Sequence, residues 1–303
     1  MKRLAILFVL GAAACSAPVE SEQSDVSEDH QLIGGRPATV ARFPSTLHIA
    51  AGCTAAKVAP KLVLTAAHCV FDPNRLEPKY GPNKPIRLSR QPTDGHVERA
   101  VVEVHVHPKW KSACAESYCA ASAVTAKLDA PDVAVIELAE DLDEVPAAPI
   151  DPMPLAAGDD VQILGFGCTQ GVHIADDRSQ ITLLFADAQI APLSAAIHDG
   201  SPVTRNDLPV YGGNYLLTGG PGSAAIAAGL CPGDSGGPVY AQRGSTLAVV
   251  GVNANYTLRP DAEDPNGKPV TNWHTRLDDQ SRNGVAEWLR SVGALPQMRT
   301  RAN

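Results

Sequence analysis

The segment Cys231-Pro-Gly-Asp-Ser-Gly-Gly-Pro238 decides how the rest of this chain is interpreted. Ser235 follows an acid and precedes two glycines, which let other backbone segments and a substrate approach a hydroxyl closely. A hydroxyl is an effective nucleophile only when a base takes its proton and N–H donors bind the oxyanion that forms. Because Gly233 and Ser235 can supply such donors, the segment predicts a nucleophilic serine. The alternative is a glycine-rich turn between two strands.

A base and an acid precede Ser235 in the chain. His68 follows the hydrophobic run Lys61-Leu-Val-Leu64, which predicts a buried strand that ends in a loop at the histidine. Asp132 begins a second apolar stretch, Asp132-Val-Ala-Val-Ile-Glu-Leu138. Taken singly, the histidine could be a core residue or a metal ligand, and the acid could cap a turn. The order His, Asp, Ser predicts instead that the three residues act together in nucleophilic catalysis.

This order and its flanking motifs resemble those of the chymotrypsin/trypsin-like serine endopeptidases. The resemblance implies that His68 is the general base and then the acid, that Asp132 orients its imidazole, and that Ser235 attacks the scissile carbonyl. It also implies an oxyanion hole made by the N–H groups of Gly233 and Ser235. The substrates would then be proteins or peptides, and no cofactor is expected.

The resemblance further implies an all-β fold of two six-stranded antiparallel β-barrels with a C-terminal α-helix. The composition agrees, because 25 Gly and 25 Pro separate many short apolar runs. The segment Gly284-Val-Ala-Glu-Trp-Leu-Arg290 has helical spacing and matches the family's terminal helix. The predicted organisation is an export signal at 1–15, a polar tether or propeptide at 16–31, a first barrel at 32–145 with His68 and Asp132, and a second barrel with Ser235 and the helix at 146–303.

The N-terminus has the pattern of an export signal. Lys2 and Arg3 precede a short apolar core, and small residues follow it. Ala12-Ala-Ala-Cys15 resembles a bacterial lipobox, although Leu is usual where Ala12 stands. We therefore expect an extracytoplasmic protein that is attached to a membrane only through a lipid on Cys15. The alternative is conventional cleavage after Ala14 and secretion.

The cysteine count agrees with export. The chain has seven cysteines, and a lipidated Cys15 would leave six. The resemblance implies a bridge between Cys53 and Cys69, and Cys114 and Cys119 are close enough in sequence to form a local loop. Cys168 and Cys231 remain, although the family pairs the cysteine before the nucleophile with a downstream one that this chain lacks. We predict a Cys168–Cys231 bridge, which requires Cα atoms within about 7 Å.

The segment His30-Gln-Leu-Ile-Gly-Gly35 resembles the family's activation junction. Cleavage there would free the amine of Leu32, and in the family this ammonium pairs with the acid before the nucleophile, here Asp234. Gln31 replaces the Lys or Arg that trypsin-like precursors carry, so an activating protease of another specificity is expected. The alternative is that these residues only form the glycine-rich start of a strand.

The substrate pocket departs from the trypsin pattern. By the resemblance, Gly229 lies at the pocket base, where trypsin-like enzymes have Asp, so no carboxylate awaits a Lys or Arg side chain. Ala254, Asn255 and Tyr256 are expected on one wall, and Asn272 is expected at the back. A tyrosine in place of the usual glycine would narrow the pocket. We therefore predict a preference for small or medium uncharged side chains.

Other functions have weaker support in the sequence. The net charge of −8 lacks the basic footprint of nucleic-acid binding. His105 and His107 could lie on one strand face as metal ligands, and the acids at 260–267 could bind calcium. We favour corner packing or solvation for the histidines and an exposed insertion for the acids, so no metal site is expected. A noncatalytic binding protein and an esterase remain alternatives to the endopeptidase.

Overall fold

The computed structural model describes residues 32–115, 130–168, 181–195, 197–198, 201–202, 212–220, 228–258 and 269–297. The predicted export signal, the tether and Cys15 lie outside these residues, as do Cys119 and the acidic segment 260–267. No helix in the described part of the chain is long and apolar enough to cross a membrane.

The described residues are mainly in β-strands. In chain order the strands are β1 (Arg36–Pro37), β2 (Thr46–Ile49), β3 (Cys53–Ala59), β4 (Leu62–Thr65), β5 (Phe71–Asp72), β6 (Glu77–Pro78), β7 (Ile86–Ser89), β8 (Val97–Arg99), β9 (Val101–Val106), β10 (Ala134–Leu138), β11 (Asp160–Gly165), β12 (Leu184–Gln189), β13 (Ile197–His198), β14 (Ser201–Pro202), β15 (Tyr215–Gly219), β16 (Pro238–Arg243), β17 (Thr246–Leu258) and β18 (Pro269–Arg276). The helices include α1 (Ala67–Val70), α2 (Pro108–Ala115) and α3 (Val285–Ser291).

The first sheet closes into a barrel through one bent strand. Its hydrogen-bonding order is β8-β7-β2-β3-β4-β10-β9, and the described pairs are antiparallel. Only Ala100 separates β8 from β9, so the two edges of the sheet belong to one continuous segment. This segment pairs with β7 before the bend and with β10 after it, which removes both open edges. The first barrel therefore has six strands.

The second sheet closes in a similar way. Its order is β1-β12-β11-β16-β17-β18-β15, and the Ile190–Thr218 bridge joins the end of β12 to β15. Six strands thus form the barrel, while the two-residue β1 pairs with the outer edge of β12. The prediction of two six-stranded barrels with a C-terminal helix is confirmed.

The two barrels share a continuous core and a short crossing segment. The rings of Phe43, Phe185 and Tyr240 bring both halves together, with Phe43 centroids 5.2 Å and 5.9 Å from the other two. In the crossing segment, Ala148 N–H donates to Lys57 O of the first barrel, and Pro149 O accepts from Val249 N–H of the second. Helix α3 follows the second barrel in sequence, yet its residue Trp288 packs against His107 of the first, with ring centroids 5.2 Å apart.

One ion pair anchors the end of the first barrel, and it yields a stability prediction. Lys57 is buried, and its Nζ lies 2.5 Å from Asp141 Oδ1 and 2.8 Å from Leu142 O. We expect Asp141→Asn to lower the free energy of unfolding at pH 7 by about 1–3 kcal/mol, because it leaves a buried ammonium without its counter-charge. Urea denaturation measures this difference.

The matched control is Asp143→Asn, since Asp143 is exposed. The hydrogen bond from Lys57 lowers the pKa of Asp141, so its contribution is present above the unfolded pKa and is lost as the pH falls through the folded one. The Asp141→Asn variant and the wild type should therefore converge in acid. Equal effects of the two substitutions at pH 7 would contradict this assignment.

Candidate active site

Strand β4 and helix α1 place His68 at the edge between the barrels. Strand β4 ends at Thr65, and α1 begins two residues later, so the histidine comes directly after a buried strand. The Cys53–Cys69 disulfide, with Cα atoms 6.2 Å apart, ties α1 to the start of β3. The imidazole is half-buried, so part of the ring is accessible to solvent.

Asp132 holds His68 at two points. Its Oδ2 lies 2.6 Å from His68 Nδ1, and its Oδ1 accepts the His68 backbone N–H at 3.0 Å. The carboxylate is buried, and Thr275 of the second barrel donates to the Asp132 carbonyl at 2.9 Å. Because an ionised carboxylate can only accept, Nδ1 carries the ring proton, which leaves the lone pair of Nε2 available.

Ser235 lies in a tight turn between Cys231 and Pro238. The Asp234 N–H donates to Cys231 O at 3.0 Å, and the Gly237 N–H donates to Asp234 O at 2.9 Å. Gly236 has φ +81°, and a Cβ there would overlap the Thr65 hydroxyl and Thr54 O. Only glycine fits this position, because the turn presses against the first barrel.

The structure brings His68 to the segment that carries Ser235. Cys69 Sγ is 3.8 Å from His68 Nε2 and 3.6 Å from Ser235 O, so both groups border the same sulfur atom. Within the described residues, Ser235 Oγ forms no hydrogen bond with His68 Nε2. Catalytic hydrogen bonds are often long or poorly aligned before substrate binds, so a missing bond between these two atoms is compatible with proton transfer.

Two backbone donors beside the nucleophile are uncommitted. In the part of the chain that the structure describes, the N–H groups of Gly233 and Ser235 donate to no other group. The Gly233 carbonyl, in contrast, accepts from Thr54 Oγ1 at 2.8 Å. Both residues are half-buried at the cleft, so their N–H groups are available for an anionic oxygen.

Asp234 is a fully buried carboxylate without a cation among the described residues. It accepts hydrogen bonds from Gly167 N–H at 2.8 Å and from Cys231 N–H at 2.9 Å. Burial raises the pKa of Asp234 to about 7, because two neutral donors do not replace the hydration of a charged carboxylate. The charge of Asp234, after burial itself, also contributes to the raised pKa of the Tyr256 phenol.

Leu32 is fully buried, and its neighbour Ile33 pairs with Gly229. The Ile33 N–H donates to Gly229 O at 3.1 Å, and the Gly229 N–H donates to Ile33 O at 2.8 Å. Leu32 has φ +58°, a left-handed conformation that a leucine rarely adopts. The backbone of Leu32 is therefore locally strained.

The predicted pocket residues differ in how deeply they are buried. Asn272 is fully buried, where its Oδ1 accepts from Leu230 N–H at 2.9 Å and its Nδ2 donates to Ala228 O at 2.8 Å. Asn272 therefore binds the backbone on both sides of Gly229. Ala254 is also buried, whereas Asn255 and Tyr256 are half-buried on β17.

The described disulfides have the pairing that the sequence analysis expected. Cys168 bonds to Cys231 with Cα atoms 5.5 Å apart, within the stated limit. Cys114 is disulfide-bonded, and the predicted partner Cys119 lies outside the described residues.

The metal site considered for His105 and His107 does not form. Strand β9 ends at Val106, and His107 instead packs against Trp288 and accepts the Lys109 N–H at 3.3 Å. His105 Nε2 lies 3.2 Å from Glu137 Oε2. One described cluster of ligand-type residues, Cys53, His68 and Cys69, has both cysteines in a disulfide, so it cannot act as a thiolate site.

Sequence reasoning missed two residues that position the site. Thr54 donates its N–H to Ser235 O at 2.8 Å, but nothing in the sequence around it signals this role. Asn253 donates its side-chain amide to Asp234 O at 3.2 Å. A polar residue inside the apolar run Val249–Ala254 was the available signal, because a buried amide requires partners.

Comparisons with known proteins identify the family and the fold. A family model described as Trypsin matches residues 32–265. A trypsin-like protease of Streptomyces glaucescens is 39% identical over 59 residues, which span 20% of this chain and 21% of that relative's own length.

Solved structures show the same fold. A structure of human heparin binding protein aligns with a TM-score of 0.57 at 16% identity, covering 88% of this chain and 99% of that one. A mutant of the same human protein, also called CAP37, aligns with the same score and coverage at 15% identity. These identities support the fold alone. Since the family model covers most of the sequence and the barrels have its architecture, this chain belongs to the trypsin family.

Proposed function

We propose that the protein is a serine endopeptidase that hydrolyses peptide bonds through an acyl-enzyme. The observation that carries this proposal is the buried Asp132 carboxylate, 2.6 Å from His68 Nδ1, which leaves Nε2 as a base at the Ser235 turn. Proteins or peptides are the substrate class, as expected for the family.

The residues perform the reaction in two similar halves. His68 Nε2 takes the proton of Ser235 as its oxygen attacks the carbonyl, and Asp132 stabilises the imidazolium that forms. The uncommitted N–H groups of Gly233 and Ser235 bind the oxyanion of the tetrahedral intermediate. His68 then protonates the leaving amine, and water repeats the sequence to release the acyl group.

The alternative is a noncatalytic binding protein on the same fold. The similarity in fold to a protein named for heparin binding is compatible with this alternative. A fluorophosphonate probe separates the two functions. The chain is cleaved directly before Leu32 by a site-specific protease whose recognition sequence replaces residues 27–31. Covalent labelling of Ser235 supports the endopeptidase, whereas absence of labelling in both cleaved and uncleaved chains supports binding alone. An esterase would also be labelled, so peptide hydrolysis is measured in parallel.

The first prediction concerns the triad as a unit. Ser235→Ala and His68→Ala should each lower kcat by on the order of 10⁴-fold or more, and the double variant should lose little beyond either one. The reason is that proton transfer requires both residues. Either single substitution already abolishes this step, so the second one adds little further loss. Steady-state hydrolysis of a peptide ester measures this, with circular dichroism to show that each variant is folded. Additive losses would contradict a shared step.

We also propose that cleavage before Leu32 activates the protein. The new ammonium would pair with Asp234, and the strained φ of Leu32 would cease to exist because its preceding peptide bond is gone. Ile33 already pairs with Gly229, two residues before the Cys231 N–H that binds Asp234. The ion pair would order the Ser235 turn, and an activating protease other than a trypsin-like one would make the cut after Gln31.

The second prediction follows from the raised pKa of Asp234, which moves from 3.8 to about 7 in the uncleaved chain. Below the unfolded pKa the carboxyl is neutral in both the folded and the unfolded state, so its full contribution to the free energy of unfolding is present. This contribution, about 4 kcal/mol, is lost as the pH rises through the folded pKa. Asp234→Asn should remove this pH dependence, and Asp143→Asn should retain it. Urea denaturation between pH 4 and pH 8 measures both.

Cleavage before Leu32 should stabilise the wild type at pH 8 but not the Asp234→Asn variant. A wild-type chain whose stability is unchanged by cleavage would contradict the proposed ion pair.

The third prediction concerns specificity, which we propose is for small or medium uncharged side chains before the scissile bond. The half-buried Tyr256 lies on the expected pocket wall, and Gly229 offers no charge at the base. Tyr256→Gly should increase kcat/KM for aromatic relative to alanyl substrates by about tenfold or more, because it removes a ring from the wall. A peptide library measures the profile. Cleavage after Arg or Lys in the wild type, or an unchanged profile in the variant, would contradict this assignment.

The disulfides and the trypsin fold suggest an extracellular location, because such bridges persist in oxidising compartments. We further propose a lipid on Cys15 as the membrane anchor of the chain before cleavage at Leu32. The intact mass of this uncleaved form, isolated from its own cells, tests the proposal directly: a diacylglycerol adduct supports the anchor, and a start at Ser16 or earlier without lipid contradicts it.

A further inference from the structure

A chain of buried polar side chains runs behind the Ser235 turn. Thr218 of β15, Asn272 and His274 of β18, and Asn253 of β17 are all fully buried. Buried polar groups are costly unless they are hydrogen-bonded, and each of these four has partners on both sides. None of them belongs to the catalytic triad.

The hydrogen bonds have one consistent direction. Asn253 Nδ2 donates to Leu164 O at 2.8 Å and to Asp234 O at 3.2 Å, so its Oδ1 must accept. That oxygen lies 2.9 Å from His274 Nδ1, which therefore carries the ring proton. His274 Nε2 is then an acceptor, and it receives the hydroxyl proton of Thr218 at 3.0 Å.

The chain continues to the expected pocket base. Asn272 Nδ2 donates to Thr218 Oγ1 at 3.0 Å and to Ala228 O at 2.8 Å. Its Oδ1 accepts from Leu230 N–H at 2.9 Å. The segment Ala228–Leu230 is thus connected to the Ser235 turn through side chains alone.

Asn253 also binds the turn through its backbone. Its carbonyl accepts the Gly236 N–H at 2.8 Å, and its N–H donates to Gly237 O at 2.8 Å. Together with the amide contact to Asp234 O, three hydrogen bonds flank Ser235 on both sides. The rotamer of Asn253 depends on its acceptor oxygen being occupied by His274. Burial lowers the pKa of His274 to about 3, which keeps the ring neutral and this direction intact.

We propose that Thr218, His274 and Asn253 are positioning residues for Ser235, which fix the nucleophile turn relative to the segment around Gly229. This inference rests on the proposed function. The three residues do not touch substrate. They act through Asn253, whose side chain fixes the carbonyl before the nucleophile.

The test compares two identical substitutions. Thr218→Val keeps the shape of the side chain but removes the proton that His274 Nε2 accepts and the oxygen that Asn272 needs. Thr257→Val is the matched control, because Thr257 is buried on the same sheet and accepts from Trp273 Nε1 at 2.8 Å without contacting the turn. Thr218→Ser is the conservative variant that retains the hydroxyl.

The readouts are the rate constant for fluorophosphonate labelling of Ser235, and kcat and KM for a peptide substrate, in chains cleaved before Leu32. Thr218→Val should lower the labelling rate and kcat by about tenfold, the value of roughly 1.4 kcal/mol of lost hydrogen bonding, with KM little changed. Thr257→Val should stay within about twofold of the wild type, and Thr218→Ser should recover most of the loss. Equal rates in Thr218→Val and Thr257→Val would overturn the inference. Labelling of the wild type at Ser235 would still support the proposed function in that case.

A second measurement does not depend on activity. The ¹⁵N chemical shifts of His274 at pH 7 should show the neutral tautomer with its proton on Nδ1, and Thr218→Val should shift the Nε2 resonance. A proton on Nε2 would overturn the inference, because the ring could then neither donate to Asn253 nor accept from Thr218. If Thr218→Val does not fold, His274→Gln replaces it, since glutamine can still donate to Asn253 and should retain more activity than His274→Leu.

Discussion

The site depends on Thr54, a residue of the first barrel that binds three points of the second. Its N–H donates to Ser235 O at 2.8 Å, and its hydroxyl donates to Gly233 O at 2.8 Å while accepting the Phe166 N–H at 3.1 Å. Its neighbour Cys53 forms the disulfide that holds the helix of His68. Two adjacent residues of β3 therefore connect the segments that carry His68 and Ser235, although these come from separate barrels. The proposed chemistry depends on how the barrels are joined at this strand.

The two buried acids of the site have different partners. Asp132 accepts hydrogen bonds from the ring and the backbone N–H of His68, a side chain that becomes a cation when it takes up a proton. Asp234 has two neutral N–H donors, and its pKa is raised to about 7. Asp234, in contrast, has no cation among the described residues. In the proposed activation, the ammonium that cleavage before Leu32 releases would supply this cation.

The sequence predicts the parts of the site that are encoded locally. Short motifs mark the turn around Ser235, the strand before His68 and the strand after Asp132. The fold class and the His, Asp, Ser order could therefore be recognised from the sequence. The Cys168–Cys231 pairing followed from counting. Thr54, His274 and Thr218 were not predictable, because their partners lie far away in sequence and depend on strand register. Asn272, which the sequence predicted at the back of the pocket, is fully buried and binds the backbone on both sides of Gly229.

The central claim is that folding delivers an imidazole base to Ser235 and that the serine carries the acyl group during turnover. Acid-quenched mass spectrometry of the cleaved chain, mixed with a slowly deacylating p-nitrophenyl ester, tests this most directly. The account predicts one acyl group, located on Ser235 by peptide mapping and absent from a folded His68→Ala chain. Hydrolysis of the ester with an acyl group on another residue, or with none on Ser235 at any time, would contradict it.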